Sequence, residues 1–271
     1  MYDPERRAER THSHATLEVT VSTRGLIGWR VDGQDKLTRT TSSAYPEWLG
    51  PQLYGQVKRL RARMNPKELR AAVRSIEMVE DKSLPTANHI DRFLRLAERA
   101  HIWTAGMDTS SMRMLIAPIR GNLEFMLDFG VMTDDTAYAL RGGWCQWGYI
   151  FDLDAGTLEI YAGYFARGCA TGRFRDIAAA RAAALGASPA EANDAEEPIS
   201  HILTLPLDDM PTDWERLTRC AVTLLRDPGD RSVPMSGHEC AQAMSLLRRY
   251  GTNQPADTSR RSPRGQISSA P

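Results

Sequence analysis

Trp147-Gly148-Tyr149-Ile150-Phe151-Asp152-Leu153, then Asp154-Ala155-Gly156, then Thr157-Leu158-Glu159-Ile160-Tyr161-Ala162-Gly163-Tyr164 carries the strongest β signal in the chain. Aromatic and β-branched residues fill both runs and turn-forming residues separate them, so the segment reads as a hairpin. On alternating positions Trp147, Tyr149 and Phe151 share one side of the first strand. A second hairpin lies upstream. Leu17 to Val21 alternates apolar and polar, Leu26-Ile27-Gly28-Trp29-Arg30-Val31 continues with β-formers, Asp32-Gly33 turns, and Lys36-Leu37-Thr38 returns. One more strand is read at Ile202-Leu203-Thr204-Leu205-Pro206-Leu207.

Between the hairpins the apolar period changes to three or four. Leu49, Leu53, Val57, Leu60 and Met64 mark one amphipathic helix, and Asn65-Pro66 ends it. Asn65 is a capping residue, Pro66 suits the first helical position and Glu68 sits three after the cap, which predicts a helix with Leu69, Val73, Ile76 and Val79 inward. Pro85-Thr86 opens a third helix with Ile90, Phe93, Leu94 and Ala97 on one side. Asp108 to Ser110 caps a fourth, which Pro118 must kink or end. A turn through Leu123, Met126 and Leu127 closes at Gly130. A helix or linker is read over 175–187, and helices over 214–225 and 238–250. The expectation is an α+β domain whose two hairpins and later strand form an antiparallel sheet, with the helices of residues 46–129 on one face.

The 271 residues hold 34 Lys plus Arg against 34 Asp plus Glu, so no net field steers the protein toward nucleic acid or anionic membrane. A hydrophobic share of 42% permits a sizeable core. Cys145, Cys169, Cys220 and Cys240 show no Cys-x-x-Cys spacing, which argues against a zinc knuckle or a disulfide scaffold and for a cytoplasmic protein. The charged opening lacks the apolar stretch of a signal peptide, and no apolar run reaches the ~18 residues of a membrane span. Residues 1–15 and the basic tail 252–271 are too polar to order, leaving 16–251 as one domain with an exposed acidic insertion at about 186–198.

Ser22-Thr23-Arg24-Gly25-Leu26-Ile27-Gly28-Trp29-Arg30-Val31-Asp32-Gly33, with Tyr45-Pro46-Glu47-Trp48-Leu49-Gly50, resembles the opening of a group of uncharacterised actinobacterial and phage proteins. Trp144-Cys145-Gln146-Trp147-Gly148-Tyr149-Ile150-Phe151-Asp152-Leu153-Asp154, Leu158-Glu159-Ile160-Tyr161 and Gly172-Arg173-Phe174 are similar to its second block. The resemblance spans roughly 22–210, implies one fold unit and brings no established activity. Where the group has a Tyr-Asn-His-Phe-Asp-Ser run, this chain has Arg39-Thr40-Thr41-Ser42-Ser43-Ala44, and where the group has Cys-Glu-Trp it has Cys145-Gln146-Trp147. An acid/base or metal site built on the group's His, Asp and Glu would lack its titratable parts here, which directs the reading toward binding.

Three sets of residues compete as sites. Ser22 and Thr23 ahead of a strand, or Cys145, are candidate nucleophiles of an amide-bond hydrolase of the N-terminal-nucleophile type; that chemistry needs a free amino terminus as base, and Thr23 is internal. A polar strand start and a buried thiol are the preferred readings. Lys58, Arg59, Arg63, Lys67, Arg70 and Arg74 make residues 55–74 basic, either as a solvated face or as a docking site for an acidic protein or nucleic acid. Trp147, Tyr149 and Tyr161 are either core or a stacking surface. His238-Glu239-Cys240 and His12-x-His14 fit no standard metal spacing, so no metal is assigned. No nucleotide or flavin fingerprint occurs and no cofactor is assigned. The expected function is non-catalytic binding or host interaction through the basic helices or the aromatic hairpin, with the hydrolase and nucleic-acid binding as alternatives.

Overall fold

The computed structural model describes residues 23–40, 43–166, 169–184, 197–226 and 235–251. Ser22, the alternation at 17–21, the frayed start, most of the acidic insertion and the basic tail lie outside the described residues.

In chain order the elements are β1 (Gly25–Val31), β2 (Gln34–Thr40), α1 (Leu49–Arg63), α2 (Pro66–Arg74), β3 (Glu77–Val79), α3 (Ala87–Arg99), α4 (Met112–Ile116), α5 (Leu123–Phe129), β4 (Val131–Thr133), β5 (Trp147–Asp152), β6 (Thr157–Ala162), α6 (Arg173–Ala184), β7 (Ser200–Pro206), α7 (Trp214–Arg226) and α8 (Gly237–Tyr250). Among the described residues no helix is long and apolar enough to cross a membrane.

The α+β class and both hairpins are present. The main sheet runs β2-β1-β5-β6-β7, and β1–β2, β5–β6 and β6–β7 pair antiparallel. The pairing that joins the hairpins is parallel: Gly25 faces Trp147 and Arg30 faces Asp152. Side-chain alternation is the same for either direction, so the sequence pattern is silent on this point, and the hundred-odd residues between β2 and β5 are ample for the long crossover that a parallel neighbour needs. β3 and β4 form a second, two-stranded parallel sheet.

The local chemistry accounts for most helix ends. Asn65 Oδ1 accepts from the Glu68 amide at 2.9 Å while Glu68 Oε2 accepts from the Asn65 amide at 2.9 Å, which closes the capping box. α2 stops at Arg74, however, and the expected helical positions Ile76 and Val79 belong to an extended segment. There the Glu77 amide donates to the Gly130 carbonyl at 2.9 Å and leads the chain into β3. α4 is capped by Ser111, one residue later than expected, and Pro118 sits in the 3-10 turn Ala117–Ile119 that ends it.

One face of the sheet carries Ile27, Trp29, Trp147, Tyr149, Phe151, Leu158 and Ile160, all buried beneath α1 to α5 with α7 and α8. The other face is also covered. Leu26, Ile150, Tyr161 and Phe174 cluster there, with α6 laid over them. Arg173 pins α6: it pairs with Asp35 at 2.9 Å and with Glu159, and its guanidinium lies over Tyr161. A helix with little amphipathic pattern gives no sequence sign of this second layer, since α6 buries chiefly Phe174.

Because β1 and β5 are parallel, their hairpin turns emerge side by side. The Asp32 and Gly33 amides donate to the two carboxylate oxygens of Asp154 at 3.0 and 2.9 Å. Arg70 bridges Asp32 and Asp154 at 3.0 and 2.8 Å, and Arg74 adds a contact to Asp32 at 2.6 Å. The Gly33 amide holds the Asp154 carboxyl below its ordinary value against an opposing cost of burial, with the Asp32 amide and Arg70 adding to the lowering. A carboxyl that is more acidic in the folded state stabilises above its unfolded pKa of about 3.9 and loses that contribution as pH falls through the folded value. Urea unfolding of wild type and Asp154→Asn should therefore show a stability gap that is constant from neutral pH to about pH 5 and narrows below about pH 4. A gap that widens on acidification would refute the clasp.

Candidate functional site

Five arginines from four separated segments meet at the end of the sheet opposite the clasped turns. Arg24 precedes β1, and Arg39 and Thr40 end β2, which the Gly25–Thr40 pairing places alongside. Arg113 lies on α4 and Arg120 follows the proline-terminated turn. Tyr138, Arg141 and Trp144 come from the segment leading into β5, whose start is paired with Gly25. That segment is tied down: the Gln146 amide donates to the Arg24 carbonyl at 3.0 Å, and the Gly142 amide to the Glu197 carbonyl at 2.7 Å. A side chain at 142 would begin 2.5 Å from that same Glu197 oxygen, so only glycine allows the approach. Together these residues line a cleft of about 520 Å³.

Two carboxylates brace the wall. Asp135 is buried, accepts from the Arg39 amide at 3.0 Å and from Thr133 Oγ1 at 3.1 Å, and forms an ion pair with Arg39 Nε at 2.6 Å. Asp81 receives Arg39 at 2.7 Å, Arg120 at 3.2 Å and Arg113 at 3.6 Å. Arg24 and Arg141 have no carboxylate partner among the described residues. Five guanidinium groups against two carboxylates leave an excess of three positive charges in one concavity. Aromatic rings complete the wall, with Arg24 over Trp144 at 5.2 Å and Arg39 over Tyr138 at 5.3 Å.

Arg120 bears the greatest cost. Its side chain is 5% exposed, and its Nε is buried with no hydrogen-bond acceptor among the described residues. Burial pulls its guanidinium below the ordinary arginine value; Asp81 and Asp135 oppose this, and the like charges of Arg113 and Arg39 reinforce it. Arginine keeps its proton regardless, so this part of the cleft holds a charge that its surroundings compensate incompletely.

The basic helical residues are arranged otherwise. Arg59 pairs with Glu124 at 2.5 Å, Arg63 with Asp128 at 2.9 Å, and Arg70 and Arg74 belong to the turn clasp. Lys58 lies over the Tyr54 ring at 5.6 Å, and Lys67 is exposed with no carboxylate partner among the described residues. Lys58 and Arg70, with Arg61 bound to Asp208 at 2.7 Å, line a separate groove of about 490 Å³. Most of this charge is thus neutralised within the fold.

Trp147, Tyr149 and Tyr161 are core residues, exposed by 4% or less, and the Tyr149 hydroxyl donates to the Ala44 carbonyl at 2.8 Å. Thr23 is buried, with its carbonyl accepting from the Ala44 amide at 3.1 Å. Cys145 is fully buried, its Sγ donates to the Trp147 carbonyl at 3.5 Å, and burial pushes its thiol well up, away from the thiolate a nucleophile requires. Among the described residues no group of three or more His, Cys, Asp or Glu is placed to hold a metal. Glu239 instead completes the capping box of α8 with Ser236.

The cleft escapes linear reading because its arginines are single and far apart. The only local sign is Arg24-Gly25, Arg120-Gly121 and Arg141-Gly142, where a long cation precedes a residue that lets the backbone close up. No protein-family model, curated protein or solved structure matches this chain.

Proposed function

We propose that this chain is a binding protein, acting in the cytoplasm, that captures a phosphate-bearing ligand in the arginine-lined cleft. The observation that carries the reading is the convergence of five guanidinium groups on one cleft braced by only two carboxylates, with the Nε of Arg120 buried there and without a hydrogen-bond partner among the described residues. A native structure seldom leaves a buried charged donor unsatisfied unless something else is to satisfy it. Guanidinium forks match phosphate oxygens two at a time, and the two aspartates fix Arg39 and Arg120 before any ligand arrives. Capture without catalysis is favoured by the surroundings of the candidate nucleophiles, since Thr23 and Cys145 are both buried and neither lines the cleft, although each adjoins a lining residue in the chain.

Calorimetric titration with pyrophosphate tests the reading. Binding is expected at low salt and should weaken steeply as salt rises. Arg120→Gln should lower affinity about tenfold or more, the range for loss of a charged hydrogen bond. Arg141→Ala, at an exposed position, should weaken binding several-fold while leaving thermal stability unchanged. Absence of binding at low salt, or affinities indifferent to both substitutions, would refute it.

A further inference from the structure

The rest of the cleft wall restricts what the phosphate is attached to. Beyond the five arginines the lining consists of Thr40, Tyr138 and Trp144. No aliphatic side chain contributes, so an acyl chain would have nothing apolar to lie against. A phosphate ester that is all polyhydroxylated sugar would need several acceptors, yet both nearby carboxylates are already occupied by guanidinium and hydroxyl donors; the two hydroxyls of a single ribose can instead stay in water. Planar groups fare differently. Guanidinium planes and aromatic faces both stack on a conjugated ring, and Trp144 is half exposed beside the cleft.

Size and charge narrow the choice again. About 520 Å³ lies within the range of roughly 300 to 1,000 Å³ that suits a ligand with a substantial organic part rather than a bare anion. The excess of three positive charges exceeds what one phosphate neutralises, a phosphate monoester carrying at most about two negative charges, and matches a diphosphate ester. A nucleic-acid strand would need a basic track leading away from the cleft, but Arg59, Arg63, Arg70 and Arg74 are each paired with carboxylates.

Resting on the anion-binding reading above, we infer that the ligand is a nucleoside diphosphate, its phosphates held by Arg39, Arg113 and Arg120 and its base stacked at Trp144. Arg24, whose guanidinium lies over the Trp144 ring at 5.2 Å, and the exposed Arg141 complete the positive lining. Stacking is tolerant of base identity, so ADP can represent the class.

The test compares ADP, pyrophosphate and phenyl phosphate by calorimetry on wild-type protein and on Trp144→Ala, at one salt concentration. Trp144 is exposed and outside the core, so its removal is expected to leave the fold intact, which unfolding curves would verify. ADP should bind wild type at least tenfold more tightly than pyrophosphate. Trp144→Ala should reduce ADP affinity about five- to hundredfold, as loss of one base stack does, and leave pyrophosphate unchanged. If pyrophosphate binds and ADP is no tighter, or if Trp144→Ala weakens both equally, the nucleoside assignment is wrong while anion capture stands. Phenyl phosphate binding as tightly as ADP would also overturn it, in favour of an aryl monophosphate such as a phosphotyrosine side chain. Failure of all three ligands would remove the anion-binding reading itself.

Discussion

Replacing Gly28 by alanine is expected to cost roughly 3 kcal/mol or more of stability, enough to leave a sizeable unfolded fraction in a domain of ordinary stability. Gly28 lies in the middle of β1 with φ at +155°, where an L side chain is strained, and a Cβ there would stand 2.0 Å from the Lys36 carbonyl of β2. The obstacle is backbone of the paired strand, so no rotamer change relieves it. β1 would have to part from β2 on one side while still bonded to β5 on the other. Gly143→Ala is the matched control, because an added Cβ there meets nothing within 4 Å. Urea midpoints of the two variants should differ widely, and a Gly28→Ala protein within ~1 kcal/mol of wild type would show that the strand pair yields far more readily than packed backbone does.

Asp135→Ala should destabilise by about 3 kcal/mol, the lower end of the cost of removing one partner from a buried ion pair. The carboxylate receives Arg39 through both side chain and amide, and it also takes the Thr133 hydroxyl, itself 2.7 Å from Thr38. Alanine would strand those donors and leave Asp81 as the one carboxylate paired with Arg39 among the described residues. Asp135→Asn keeps an acceptor but loses the charge, so it should cost less. If the cleft is an anion site, pyrophosphate should raise the melting temperature of Asp135→Ala more than that of wild type, since the ligand supplies negative charge where one was removed. Equal shifts in both proteins would mean that Arg39 and the ligand do not share the site.

Local chemistry made the elements readable: the Asn65–Glu68 box, Pro118 after α4 and Gly130 after α5 act over a few residues, and all leave a mark in sequence. The large β signal at 147–164 was legible for the same reason. What escaped was pairing at a distance. The direction of β5 against β1 depends on where the intervening helices return the chain, and no residue type encodes it. Ile76 and Val79 keep a helical spacing but are drawn into extended structure by Gly130 and β4. The basic run at 55–74 looked like a docking face because its counter-charges, Glu124, Asp128, Asp32 and Asp154, lie elsewhere in sequence. Conversely, the cleft's charge was hidden because each arginine stands alone until the fold assembles it.

The parallel seam between the two ribbons also governs how the molecule is made. Each ribbon can zip locally within microseconds, but joining them requires residues 122 positions apart, such as Asp32 and Asp154, to find each other. Until then β1 and β5 each present an unpaired, apolar edge to any other chain in solution. Refolding yield should therefore fall with protein concentration, and the turn contacts at Asp154, which fix the register once the ribbons meet, act as the latch that removes those edges from circulation.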